Sequence, residues 1–210
     1  MVEATGGPQR PVQARALATR QKLLEAAVLS LCELGYAGTT TTEVAARAGV
    51  SQGALYKHFG SKHQLIAETT RHLFTLLIDR FKAGFTASSA DDDKLSRVLR
   101  ELWAVFTTQE LHAVLELYVA ARTDEPLRQA LVPVVLLHRM NLIAEARTLF
   151  PEAAAANPRF ENLVDGLLSA VQGAATTAAL LPDVPVGEQV VEYLEYVCRP
   201  ELEPPFGAAR

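Results

Sequence analysis

The chain has 210 residues, enough for one or two domains with a sizeable core. With 49% hydrophobic and 21% charged residues it reads as globular, which excludes a disordered or fibrous polypeptide. Its net charge of −4 is unevenly spread: residues 1–62 carry seven Lys/Arg against four Glu, or +3, and residues 63–210 carry thirteen against twenty acids, or −7. Such an asymmetry places the field that attracts a polyanion on the N-terminal part and keeps it off the rest. Cys32 and Cys198 are too few and too far apart for a disulfide framework or a metal site, so they read as small core residues. The sequence also reads as free of a bilayer-spanning run and of a signal peptide, so the expected compartment is the cytoplasm (at the nucleoid when DNA-bound), with no membrane partner.

Residues 1–14, with two Gly, two Pro and no period, predict a flexible tail. Arg10, Arg15, Arg20 and Lys22 bring positive charge to the start of the first helix. One reading is a basic arm along a phosphate backbone or in a minor groove; the other is a solvated tail. Leu24, Ala27, Val28 and Leu31, at i, i+3, i+4 and i+7, predict a helix over 15–34 with one buried face and Gly35 as its C-cap.

Residues 40–62 carry the densest pattern. Thr40 and Glu43 have capping-box spacing, with Thr40 capping a short helix while Glu43 reaches back to it. Val44, Ala45 and Ala48 are its apolar positions. Gly49 falls where a tight turn needs positive φ, and Val50 plugs the angle between two helices. Ser51 caps a second helix, 52–58, with Leu55 and Phe59 inward and Gln52, Tyr56 and Lys57 outward. Ser61 and Gln64 form a further capping box. This outward face suits DNA. Gln52 can pair bidentately with adenine. Gly53 removes a side chain where backbone must approach bases or phosphate. Tyr56, Lys57, His58 and Lys62 supply donors to phosphate oxygens, and the helix N-terminal amides near Thr41, Thr42 and Ser51 attract the same anions.

The motif Thr-x-Glu-Val-Ala-x-x-Ala-Gly-Val-Ser-x-Gly-Ala-Leu-Tyr-x-His-Phe-x-Ser-Lys, preceded by Glu33-Leu-Gly-Tyr-Ala-Gly38, resembles the TetR family of bacterial transcriptional repressors. The likeness of motif covers about residues 15–66; beyond it only length and helical layout are similar. The resemblance implies that the 40–62 segment is a helix-turn-helix, that Arg20 lies near the DNA, and that the C-terminal part holds an effector site and a dimer interface.

Down the chain, helix 62–84 has Phe74, Leu77, Ile78, Phe81 and Phe85 along one side, and is the candidate lever between two domains. A loop over 86–93 ends in N-cap chemistry. Helix 94–107 follows with Leu95, Val98, Leu99, Leu102 and Phe106, then helix 109–122 with Leu111, Val114, Leu115, Tyr118 and Val119. Segment 126–150 contains Pro133, which predicts a kink or split, and Pro151 ends it. Ala153–Ala156 reads as loop or short helix. Asn157-Pro158 reads as an N-cap with Pro at N1, opening helix 159–181. Helix 187–198 carries Val190, Val191, Leu194 and Val197, and a disordered tail is expected from Pro200. No strand-length alternation appears. The expected fold is all-α: a tail (1–14), a three-helix DNA-binding domain (15–60), a helical bundle for ligand binding and dimerisation (61–200), and a second tail (201–210).

Helix 159–181 is apolar over more than one face and so needs burial on two sides. Paired with helix 187–198 across a two-fold axis it would form a four-helix dimer interface through Leu163, Leu167, Val171, Ala174, Ala178, Val190 and Leu194. Polar and aromatic groups interrupt the apolar faces of the middle helices, the usual composition of a ligand pocket. Its expected walls are Phe81, Trp103, Phe106, Tyr118 and Met140, and its anchors His138 and Asn141, with His112 also nearby. The expected function is a homodimeric repressor on a pseudopalindromic double-stranded operator, released by a small, mostly apolar effector of unspecified identity and needing no cofactor. An activator or a ligand-independent regulator on the same scaffold is the alternative. An enzyme is disfavoured because no Gly-rich phosphate loop, His-Glu-x-x-His, Cys-x-x-Cys or nucleophile elbow appears, so no catalytic or metal residue is expected. A helical protein-interaction module would leave the polar outward face of 52–58 unexplained.

Overall fold

In the computed structural model, which describes residues 9–88 and 93–203 and the side chains from Gln13 onward, every regular element is a helix. In chain order these are α1 (Gln9–Gly38), α2 (Thr41–Arg47), α3 (Gln52–Phe59), α4 (Lys62–Ala87), α5 (Lys94–Phe106), α6 (Gln109–Ala121), α7 (Glu125–Leu149), α8 (Pro151–Ala156), α9 (Phe160–Leu180) and α10 (Val186–Leu202). The all-α expectation therefore holds among the described residues.

Three elements differ from the sequence reading for identifiable reasons. α1 begins at Gln9 rather than at residue 15. Pro11 falls in its first turn, where a missing N–H has no carbonyl to meet. The rest of the expected N-terminal tail, residues 1–8, lies outside the described residues, as do 89–92 of the expected loop and 204–210 of the expected C-terminal tail. α7 runs unbroken past Pro133, and α10 continues through Pro200 to Leu202. Both prolines are exposed, so water can take the carbonyl each one leaves free four residues back. Leu202, expected in a disordered tail, is instead buried at the end of α10. Asn157 and Pro158 form a turn ahead of α9: the Asn157 Oδ1 accepts from the Arg159 N–H at 2.8 Å, and the helix starts at Phe160 without a side-chain cap.

By compactness the chain divides into two units, residues 1–73 with 113–131, and residues 74–112 with 132–210, so that α4, α6 and α7 contribute residues to both. In the first unit, Leu23, Leu24, Ala26 and Ala27 of α1 meet Val44, Ala45, Leu55, Phe59 and Leu65 in one buried cluster. A second cluster joins Leu31 and Ile66 to Ala113, Leu117, Leu127 and Leu131. In the second unit, α5, α9 and α10 pack on one another around Leu95, Leu99, Phe160, Val171 and Leu194. α9 is long and apolar enough to cross a membrane by length and composition alone, contrary to the sequence reading. Its buried residues Phe160, Val164, Leu167 and Val171 belong to the core of this unit.

Candidate nucleic-acid interface and apolar cavity

The α2–α3 pair is built by local capping. The Thr40 hydroxyl accepts from the Glu43 N–H at 3.1 Å and the Ser51 hydroxyl from the Ala54 N–H at 3.2 Å, so each helix starts where its cap residue stands. Glu43 does not close the capping box; its carboxylate pairs with Arg47 at 3.1 Å instead. Gly49 takes φ 67° at the turn between the helices, the left-handed backbone that the tight reversal requires. Leu55 and Phe59 are buried against α1, which fixes the opposite side of α3 outward.

That outward side carries Gln52, Gly53, Tyr56 and Lys57, all exposed, with Tyr56 45% accessible. The structure ties four of the sequence candidates into one polar network. The Gln52 Nε2 donates to the Thr42 hydroxyl at 2.8 Å and to the Thr41 hydroxyl at 3.3 Å, and the Thr41 and Tyr56 hydroxyls share a hydrogen bond of 3.2 Å. Ser51 is exposed, but its hydroxyl is engaged as the cap. His58 is half-buried with its ring tilted beside Phe59.

Two candidates are engaged elsewhere. The Lys62 ammonium donates to the Tyr36 carbonyl at 3.2 Å and sits 4.3 Å above the Tyr36 ring, and burial pushes it below the ordinary lysine range. It is thus turned into the protein rather than offered to a phosphate. Arg20 donates to Glu68 at 2.6 Å and lies over the Phe59 ring, so its charge is already partnered. Around Tyr36 lies a group that sequence spacing did not reveal. The Glu116 carboxylate accepts from the Tyr36 N–H at 2.7 Å, and the Tyr36 hydroxyl donates to Asp124 at 2.7 Å. Burial first, and then that hydrogen bond, raise the Tyr36 phenol well above its ordinary range. Gly35, at φ 66°, breaks the helical path of α1 as the expected C-cap, and a Cβ there would lie 2.7 Å from a Glu116 oxygen.

Within the second unit, a cavity of about 100 Å³ is walled by Leu, Val, Ile and Phe side chains from α4, α5, α6, α7, α9 and α10. Of the expected pocket residues, Phe81, Phe106 and His138 line it. The other five expected pocket residues are not in its wall. Trp103 packs against Gly187, where an added Cβ would collide with the indole. Tyr118 belongs to the first unit, where burial raises its hydroxyl to about 12. Met140 is 64% exposed, Asn141 borders a separate shallow depression beside Thr75 and Asp79, and His112 is half-buried with an unpartnered Nε2. His138 stacks on Phe74 with ring centroids 3.6 Å apart, its buried Nδ1 has no hydrogen-bond partner, and burial lowers its pKa to about 4. The other polar group in the wall, Glu145, pairs with Lys82 at 2.5 Å.

The expected dimer residues divide as well. Leu167, Val171, Ala174 and Leu194 are buried inside the protomer's own core, and Leu163 lines the cavity, because α9 turns this face toward α5 and α10. Ala178 and Val190 are only partly covered. The apolar groups left exposed on this part of the chain are Leu180, Leu181, Val184, Tyr193, Tyr196 and Val197.

These features match known proteins. The family model of the bacterial regulatory proteins of the tetR family matches residues 23–69, which include α2 and α3. Over 188 residues the chain is 30% identical to a helix-turn-helix-type transcriptional regulator of Mycobacterium tuberculosis, covering 88% of this chain and 95% of that one. The regulator BetI of Agrobacterium fabrum is 33% identical over 174 residues, 78% of this chain and 84% of the relative. Among solved structures, the multidrug binding protein EbrR, in complex with imidazole, is similar with a TM-score of 0.63 and 26% identity, over 84% of this chain and 93% of that chain. The protein is a DNA-binding transcriptional regulator of helix-turn-helix type. It belongs to the TetR family of bacterial regulators, with α2 and α3 as its helix-turn-helix.

Proposed function

We propose that the protein is a cytoplasmic homodimeric repressor that binds a pseudopalindromic operator and is released by a small, mostly apolar, uncharged effector. In this reading residues 15–60 hold the DNA and residues 61–200 hold the effector and the second protomer. The observation that carries the reading is the outward face of α3, where Gln52, Tyr56 and Lys57 stand exposed over a buried Leu55 and Phe59. Two such helices related by a two-fold axis read half-sites about one DNA turn (~34 Å) apart, or a multiple of that.

The effector reading is supported by the cavity in the second unit, which has apolar walls and only two polar groups. Glu145 is neutralised by Lys82, and His138 is uncharged near neutral pH, so the cavity holds no free charge to meet an ionic ligand. EbrR is a multidrug-binding relative crystallised with a small heterocycle. For the dimer, the core position of Leu167, Val171 and Leu194 moves the proposed interface to the exposed side of α9 and α10, where Tyr193, Tyr196 and Leu180 stand. A Cβ added at Gly166 or Gly173 would meet nothing, which leaves room for close approach by a partner helix.

The effector acts by binding more tightly to a conformation whose recognition helices are spaced wrongly for DNA, with α4 carrying the shift. Coupling of this kind is reciprocal and typically ~1–3 kcal/mol. Titrating effector with and without operator tests it: both affinities must fall by the same factor, and a one-sided effect rules the mechanism out.

A further inference from the structure

We infer that Thr41 and Thr42 hold the Gln52 side chain so that it reads a base through its carbonyl oxygen alone, selecting adenine or cytosine at that position. The inference rests on the reading of α3 as the base-contacting helix and specifies what that helix recognises. A glutamine amide has two N–H donors and one carbonyl acceptor. Here the Nε2 meets two hydroxyl oxygens, Thr42 at 2.8 Å and Thr41 at 3.3 Å, so both donors are committed inside the protein. Among the described residues, no donor meets the Oε1.

The direction of the network extends this. The Thr41 and Tyr56 hydroxyls share a hydrogen bond of 3.2 Å in which either can donate; in the arrangement where Thr41 donates, the Tyr56 hydrogen is left to point outward. That arrangement offers one acceptor at Gln52 and one donor at Tyr56: the first suits a base amino group, the second a phosphate oxygen. A bidentate contact to adenine needs the glutamine to donate to N7 while accepting from the N6 amino group. With its N–H groups committed, Gln52 can only accept, and in the major groove the amino groups of adenine N6 and cytosine N4 are the base donors. Guanine and thymine present oxygens there, which the Oε1 repels. Thr41 and Thr42 are therefore positioning residues, acting through Gln52.

The test is selection of duplexes from a randomised pool by full-length wild type and by Gln52→Ala. The column of the preferred site that flattens in the variant is the one Gln52 reads. Expected there are adenine and cytosine at comparable affinity, with guanine and thymine weaker by about fivefold to tenfold, the worth of one hydrogen bond. Replacing that adenine by 7-deazaadenine, which lacks N7, leaves wild-type affinity unchanged, and replacing it by purine, which lacks the amino group, costs the same fivefold to tenfold. Thr42→Val removes the acceptor at an exposed position while keeping the side-chain shape. It frees one N–H, narrows the column to adenine, and makes binding sensitive to 7-deazaadenine; Thr42→Ser restores the wild-type pattern. A wild-type column restricted to adenine with loss on 7-deaza substitution overturns the inference and leaves α3 as the reading helix, as does an unchanged column in Thr42→Val. Selection of no sequence at all overturns the reading of α3 itself.

Discussion

At Lys57 and Lys62 the same chemistry is put to different uses. Lys57 is exposed on α3, whereas the Lys62 ammonium is spent on the carbonyl and ring of Tyr36. Lys57→Ala should therefore weaken binding to every duplex and lower the slope of log affinity against log salt by about 1. Lys62→Ala should leave that slope unchanged and show instead as a lower melting temperature. A residue-scale pH effect follows from His138. Its folded pKa of about 4 lies below the ordinary 6.5, so between those values the unfolded chain binds more protons than the folded one. Stability is unaffected by this group above pH 6.5 and declines as pH falls toward 4. In denaturant titrations, His138→Phe should gain on wild type between pH 7 and pH 5, and an equal pH response in both proteins would contradict the assignment. Roles that depend on near neighbours were legible in the sequence: the Thr40, Ser51 and Ser61 caps each sit three residues from the amide they serve. The engagements of Lys62 and Arg20 were not, because their partners lie 26 and 48 residues away in the chain.

Helix period made most elements readable, since one apolar face repeated at three and four residues survives any error at the ends. Prolines were the weak signal. Pro133 and Pro200 read as breaks, yet α7 and α10 pass through both because each ring sits on an exposed side while neighbours such as Val134 and Leu202 are buried. Leu202→Ala should cost roughly 2–5 kcal/mol of stability if the last turn of α10 is part of the core. A change under 0.5 kcal/mol, the usual range for a surface site, would return that turn to the status of a tail. For α9, sequence showed that more than one face was apolar without showing which face turned inward. That ambiguity put Leu167 and Val171 in the expected dimer interface, and packing on α5 and α10 took them into the protomer. The cavity suffered the same loss: Phe81 and Phe106 point into it, but Met140, on the other side of α7, does not line it.

For the whole molecule, the proposed two-fold assembly and the proposed sequence selectivity stand together. Tyr196 is 79% exposed on α10, so Tyr196→Glu should leave the protomer folded, shift sedimentation from dimer to monomer, and weaken operator binding through loss of the second recognition helix. An unchanged sedimentation coefficient would place the interface elsewhere. In the proposed complex the uneven charge, +3 over residues 1–62 and −7 over 63–210, gives association its salt-dependent part, and the face of α3 gives its selective part. The most direct measurement of both is binding of the full-length protein to the DNA flanking its own gene, titrated with salt against a scrambled duplex of equal length. The account predicts tighter binding to the flank, saturating at one or two dimers, with a preference that persists as salt rises. Equal, weak binding to both duplexes that vanishes with salt would leave only phosphate attraction and contradict an operator there.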